Sequence, residues 1–329
     1  MKVYISLQLS QNSSGGGNNF LRYLGKYLKK KELLVGKAKF ADVIVINSHH
    51  RIIHNLFLKI IYPEKLFVHR IDGRLSAHRD TKSWDDLVKL QNKYLANATI
   101  FQSNWSRDIW RNELKPINSI VIHNSANPEL FYSNKENSKS NRIKLIFVSW
   151  SNNPNKGREY LEWIIGEKNK LNIDLQIIGN LSVASSINSK LLVNQAQVAD
   201  LYRESNIFFF PSKNEACSNA LIEAQACGLP ILALHSGGNP ELVLDSGETF
   251  NNTSELKIGL NKIVREYDRY RENALKISNS RKAPEEYEEF LESIFAKNNV
   301  SSKHNRINLI FAAILILKSI IQIKIAKLK

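Results

Sequence analysis

The stretch of this 329-residue chain richest in chemistry runs from residue 208 to 241, FFFPSKNEACSNALIEAQACGLPILALHSGGNPE. Its opening apolar run, ending at Pro211, reads as a buried strand, and a helix is expected from about residue 219. Ser218 and Asn219 are good caps for that helix. The first-turn N–H groups, those of Ala220 and Leu221, would then face forward with the positive end of the helix dipole, an anion site suited to phosphate. Glu215 in the loop and Glu223 one turn inside the helix bracket that position. Against a phosphate they would repel it; beside a diphosphate they are placed to accept hydrogen bonds from sugar hydroxyls. A second loop, QNSSGGGNNF at residues 11–20, offers Gly15, Gly16 and Gly17. Three glycines there permit positive φ and close backbone approach at a helix start. The loop is neither G-x-G-x-x-G nor a P-loop.

These residues need elements to hold them. Short apolar runs at 3–9, 43–47, 66–69, 100–103 and 120–124 predict buried strands, separated by amphipathic segments. The pattern restarts with runs at 143–149, 175–179, 207–211 and 231–234, and helices are expected at 159–165, 198–204 and 219–227. Strands alternating with helices imply parallel sheets. The polar run at 133–141 contains no apolar residue and marks the boundary. The expected division is therefore 1–135, a linker at 136–141, a second domain at 142–300, with the packing of its last helix back on the first domain as an open alternative, and a tail at 301–329. Two such α/β domains would put a ligand cleft at the carboxyl ends of their strands.

The 34-residue run, with its Glu-x7-Glu pair, ACGLP and SGGNPE, resembles glycosyltransferase family 4. That resemblance implies an α/β GT-B fold, two facing Rossmann-like domains, with acceptor on the first and nucleotide-diphosphate sugar on the second. It implies that Glu215 holds the transferred sugar and Glu223 the ribose. SWSNNPNKG at 149–157 resembles the family's strand-end loop, so Lys156 would pair with the diphosphate. The family's neighbouring Arg is missing near Trp150, with Arg158, Arg70 and Arg74 as substitutes. By the same resemblance the Gly15–Gly17 loop closes on donor phosphates, Gly179 and Asn180 lie where the base is held, and His69 contacts the sugar. Asp72, Arg70, Arg74 and His49 are acceptor-side candidates. The implied function is retaining, hexosyl-type transfer in cell-surface polysaccharide or lipopolysaccharide biosynthesis, with no cofactor and no obligatory metal. Two rivals stay open: a nucleotide-sugar epimerase of this fold, and a catalytically silent sugar-binding or membrane scaffold, which the missing Arg favours.

Composition bounds the partners. The net charge is +15 and 43% of residues are apolar, which excludes wholesale disorder. A basic excess calls for an acidic partner. Basic clusters at 22–39 and 301–329 lack the aromatic interleaving of a single-strand groove, so an anionic membrane surface ranks above nucleic acid. Residues 307–317 are apolar except Asn308, then a basic Ile-rich run follows. Eleven to seventeen such residues fall short of a bilayer span. An interfacial helix with headgroup lysines is expected, with a core helix packed back on the protein as the alternative. The short apolar start at residue 3 reads as a strand, not a signal peptide, which implies a cytoplasmic protein peripheral on the cell membrane. Cys217 and Cys227 read as packing residues.

Overall fold

The computed structural model describes residues 1–7, 16–77, 82–116, 118–134, 142–149, 153–179, 194–297 and 306–326. The chain forms two compact units. Met1–Leu9, Arg22–His123 and Ala283–Lys329 make the first; Ser10–Leu21 and Asn124–Lys282 make the second.

The first unit contains β1 (Val3–Ile5), α1 (Gly16–Lys30, which begins in the second unit's share), β2 (Val43–Asn47), α2 (Ile52–Ile61) and β3 (Leu66–Ile71). It continues with α3 (Ser83–Leu95), β4 (Ala98–Phe101), α4 (Asn104–Trp110) and β5 (Ser119–Val121). All five strands are parallel and lie side by side in chain order. The second unit contains β6 (Ile143–Ser149), α5 (Arg158–Glu167), β7 (Ile173–Gly179), α6 (Gln195–Arg203), β8 (Ile207–Phe210) and α7 (Asn219–Ala226). Then come β9 (Ile231–Leu234), α8 (Asn239–Val243), β10 (Gly247–Phe250), α9 (Thr253–Arg265) and α10 (Tyr267–Ser280). The chain ends in the first unit with α11 (Ala283–Ala296) and α12 (Arg306–Ala326).

The second sheet is also parallel, but its strand order is β10-β9-β8-β6-β7. From β6 the chain moves one way to β7, then returns to build outward from β8. That reversal makes a switch point between β6 and β8, the edge where open α/β sheets bind ligands. The strands read as unbroken apolar runs because both faces are covered. Ile207, Phe208, Phe209 and Phe210 of β8 are all buried, as parallel sheets require. One face packs Phe208 and Phe210 against α6 and α7, with Tyr202 edge-on to Phe208 at 5.5 Å. The other packs Phe209 with Phe147, Phe250 and the apolar stripe of α9.

The unit boundary departs from the expected 136–141 linker, which lies outside the described residues. The chain leaves the first unit between His123 and Asn124. The reason is packing: Phe131 is buried in the second unit's core, with Ala126 and Leu130 against it. The last helix of 142–300 does pack back on the first unit, the alternative the sequence left open, since α11 belongs there. There Tyr27 Oη donates to Glu288 Oε2 at 2.5 Å, and Lys31 lies 3.6 Å from the same carboxylate. The tail is no short apolar patch. It is one helix of 21 residues that packs on α2 and α3.

Gly179, which ends β7 opposite Ser149 of β6, has φ of +114°, and a Cβ there would lie 1.8 Å from Ser149 O. Gly179→Ala should therefore cost about 2–4 kcal/mol and lower the melting temperature by roughly 5–10 °C in calorimetry. The control is Gly166→Ala in α5, where a Cβ meets nothing within 4 Å; it should be neutral or stabilise by up to about 1 kcal/mol.

Candidate active site

Both loops that leave the β6–β8 switch point carry a charged side chain, and the backbone ties them together. After β6 the chain makes a 3-10 turn, Pro154–Lys156, in which Asn153 Oδ1 accepts from Asn155 N at 2.9 Å. Gly157 follows at φ +71°, packed so closely under Pro211 that a Cβ would lie 2.2 Å from its carbonyl oxygen. Lys213 N then donates to Asn155 O at 2.7 Å. The two loops are thereby held in register. Lys156 Nζ reaches Glu215 Oε1 at 2.5 Å, with the two side chains 24% and 25% exposed. Cation and carboxylate neutralise each other.

The Glu215 loop is gripped from its far side by the SGGNPE segment. Asn214 adopts φ of +56° while its N–H donates to Ser236 Oγ at 3.1 Å. Gly238 N donates to Glu215 O at 2.7 Å. Gly237 sits at φ +64°, where a Cβ would come within 2.5 Å of that same oxygen. The buried Asn239 amide donates to Ser212 O at 2.9 Å and Leu234 O at 3.0 Å, joining the ends of β8 and β9. Sequence reasoning used this segment only as a signature; its work here is to set the backbone of Glu215. The glycine pair next to an Asn was the available signal.

The helix end differs in detail from the expected anion site. Ser218 caps α7, its Oγ accepting from Leu221 N at 3.3 Å. The cap therefore occupies the Leu221 N–H, and the Leu221 side chain is fully buried. Asn219 Oδ1 accepts from Asn124 Nδ2 at 2.8 Å. Ala220 stands in the first turn between them. Glu223 is half-buried in the same helix. Burial pushes its carboxyl up to about 8, opposed by Gln195 Nε2, which donates to Oε1 at 3.5 Å. The two glutamates thus differ in character: Glu215 is ion-paired, whereas burial favours the protonated form of Glu223. Cys217 Sγ accepts from Asn124 N at 3.3 Å. Cys227 is buried, and burial pushes its thiol up to about 12, which fits a packing role.

Gly15 and Asn180 lie outside the described residues, while Gly16 and Gly17 open α1. The three candidate cations to replace that missing Arg each have a partner within their own unit. Arg158 pairs with Glu162 at 2.7 Å on an exposed helix face. Arg74 binds Glu113 and Ile109 O, with its guanidinium 4.8 Å over Trp110. Arg70 is fully buried, donating to Asn47 Oδ1 at 2.8 Å, Asp72 Oδ1 at 3.1 Å and Gln102 Oε1 at 2.5 Å.

His69 is also fully buried, which departs from the expected sugar contact. Its Nε2 lies 2.8 Å from Ser48 O, and Asn92 Nδ2 lies 3.3 Å from Nδ1. Burial lowers its pKa to about 4, so the ring is neutral and braces the strand ends of the first unit. The brace extends through Gln91, Asn55 and Ser6. It supports a turn in which Ser48 and Arg51 both take positive φ, 44° and 53°. On that turn His49 stays partly exposed, 4.3 Å from His50 and edge-on to Trp84 at 5.0 Å. Asp72 is partly exposed too, but its carbonyl accepts from Ser106 Oγ and Trp110 Nε1.

Comparison with known proteins reaches the same region. Residues 121–279 match the family of glycosyl transferases group 1. An uncharacterized glycosyltransferase of Haemophilus influenzae is 28% identical over 206 residues, 56% of this chain and 57% of that protein. A D-inositol 3-phosphate glycosyltransferase of Streptomyces bingchenggensis is 37% identical over 70 residues. That match covers 21% of this chain and 15% of the relative, so the chain spans only part of such curated relatives. Among solved structures, Anabaena Alr3699/HepE in complex with UDP-glucose has a TM-score of 0.70 at 16% identity, covering 89% of this chain and 99% of that one. Sucrose-phosphate synthase from Thermosynechococcus elongatus has a TM-score of 0.68 at 14% identity, covering 90% and 100%. The fold is that of the GT-B glycosyltransferases.

Glu223 predicts a pH dependence of stability. The folded chain keeps a proton that the unfolded chain releases above about pH 4.3. Its contribution is therefore complete below that pH and is lost as pH rises through about 8. Urea melts should show wild type losing stability relative to Glu223→Gln between about pH 5 and 8; a constant difference would contradict the assignment.

Proposed function

We propose that this chain is a retaining glycosyltransferase that moves a hexosyl group from a nucleotide-diphosphate sugar to a glycan or lipid-linked acceptor. The acceptor class points to cell-surface polysaccharide or lipopolysaccharide assembly on the cytoplasmic side of the membrane. The observation that carries the reading is the Lys156–Glu215 pair at the β6–β8 switch point. An arriving diphosphate takes Lys156 and frees Glu215 to accept hydroxyl hydrogen bonds from the attached sugar. The neutral Glu223 acid, one turn into α7, is suited to the ribose, because it can both donate and accept. Alr3699/HepE was solved with UDP-glucose, and a mutant of Staphylococcus aureus TarM with UDP and alpha-GlcNAc-glycerol. Uridine diphosphate sugars are therefore the first donors to test.

With Glu215 committed to Lys156 and then to the sugar, front-face transfer is the favoured route. The acceptor oxygen bonds to the anomeric carbon as the bond from that carbon to the diphosphate breaks. The departing diphosphate oxygen takes the acceptor's proton. Charge grows on that oxygen, so a fixed cation there stabilises the transition state selectively. In this proposal Lys156 and the α7 N-terminus serve in place of a divalent ion.

Incubation with labelled nucleotide sugars and membrane-derived acceptors tests the reading. Transfer should release the nucleotide, label the acceptor and survive EDTA. Lys156→Ala should lower the rate on the order of 10²–10³, the size expected for one lost oxyanion partner, and Glu215→Ala should lose most turnover. Release of a free, altered sugar would mean an epimerase. Donor binding with no turnover in any acceptor would mean a scaffold.

A further inference from the structure

The charge of this protein is not shared between its units. The first unit carries 27 Lys and Arg against 14 Asp and Glu, a net +13 of the chain's +15. Its exposed apolar residues are equally concentrated. Of the 16 large hydrophobic residues exposed among those described, ten lie on α2 and α12.

The α12 helix explains how. The 19 residues Asn308–Ala326 contain a window of mean hydropathy 2.2, long and apolar enough to cross a membrane by length and composition. Yet Leu309, Ala312, Ile316, Ser319 and Ile323, spaced by three and four, are buried in the first unit's core beside α2 and α3. Such spacing is a packing seam along one side of the helix. Ser83 Oγ of α3 also donates to Gln322 Oε1 at 3.1 Å. The helix is thus part of the folded unit.

The side opposite the seam is apolar as well. Ile310, Phe311, Ile314, Leu317, Ile321 and Ile325 are each 50–65% exposed. At about 100° per residue, the exposed Lys318 and Lys324 fall on either flank of this stripe. Neighbouring α2 turns Ile53, Phe57, Ile60 and Ile61 outward, each 46–58% exposed. Neither helix contains an acidic residue.

We infer that the outward faces of α2 and α12 form one docking surface for an anionic lipid bilayer. The helices lie in the interface, their isoleucines, leucines and phenylalanines among the acyl chains and their lysines among the headgroups. A net +13 on the same unit adds long-range attraction to anionic lipid. A second copy of this chain fits the surface less well. It would bring Lys318 and Lys324 into an apolar interface where α2 and α12 offer no acid to pair with them. The buried seam likewise argues for lying on the membrane, since spanning it would strip Leu309, Ala312 and Ile316 from the core. The inference gives the cell-surface reading its membrane contact but rests on the first unit alone. Vesicle binding and sugar transfer can therefore fail independently.

Co-sedimentation of the full chain tests it. The vesicles would be phosphatidylcholine, with or without about one-third phosphatidylglycerol. Wild type should pellet with the anionic vesicles and partition at least about tenfold less into the neutral ones. Two variants on separate helices, Leu317→Asp with Ile321→Asp, and Phe57→Asp alone, should each weaken binding about tenfold or more. Because these side chains are mostly exposed, melting temperature and nucleotide binding should stay at wild-type values. Wild type remaining in the supernatant, or variants pelleting like wild type, would overturn the inference. So would light scattering that shows a dimer dissolved by the same substitutions and indifferent to vesicles.

Discussion

Everything at the candidate site depends on two loops crossing at a distance no side chain would tolerate. The turn after β6 passes beneath Pro211 only because Gly157 lacks a Cβ. The Ser236–Gly238 strap crosses Glu215 under the same condition at Gly237. These contacts are backbone against backbone, so they fix position without consuming the side chains. Lys156 and Glu215 are left at the exposed end of the crossing, where the strand order reverses. Strand topology selects the place, glycine sets the spacing, and the charged groups then meet.

Much of this could be read from the chain. Buried parallel strands leave continuous apolar runs, so IKLIFVS and IFFF announced β6 and β8. The sequence also showed Glu215 and Lys156 following those strands, although their contact needed the fold. Other features were hidden for identifiable reasons. The four residues of β10, GETF, are too few and too mixed to show a period. His69 and Arg70 end a strand, a position suited to ligands, but sequence position does not reveal burial. Both turn out to be enclosed by amides from β2, α3 and the segment after β4. The unit boundary was masked because a polar run is easy to see, whereas Phe131 anchoring the connector is not.

The C-terminal helix shows the same limit. Lys318 breaks the apolar run and made the segment look short, but a long lysine side chain interrupts a sequence without interrupting a helix. Read as interfacial helix or core helix, the tail proved to have features of both: one side sealed into the first unit, the other apolar and exposed. Uneven charge reinforces the difference between the halves. One is strongly cationic; the other, which holds the glutamate pair, is nearly neutral.

If the proposed function holds, the ion pair at the switch point also sets a threshold for what can settle there. Lys156 already has a partner in Glu215, so under the proposed function a bare inorganic anion would compete with an attached carboxylate and then leave that carboxylate stranded beside it. A ligand carrying negative charge and neighbouring hydroxyls satisfies both groups at once. On the proposed reading, the contact between these two side chains would act as a filter, favouring guests that bring two kinds of chemistry on a single molecule.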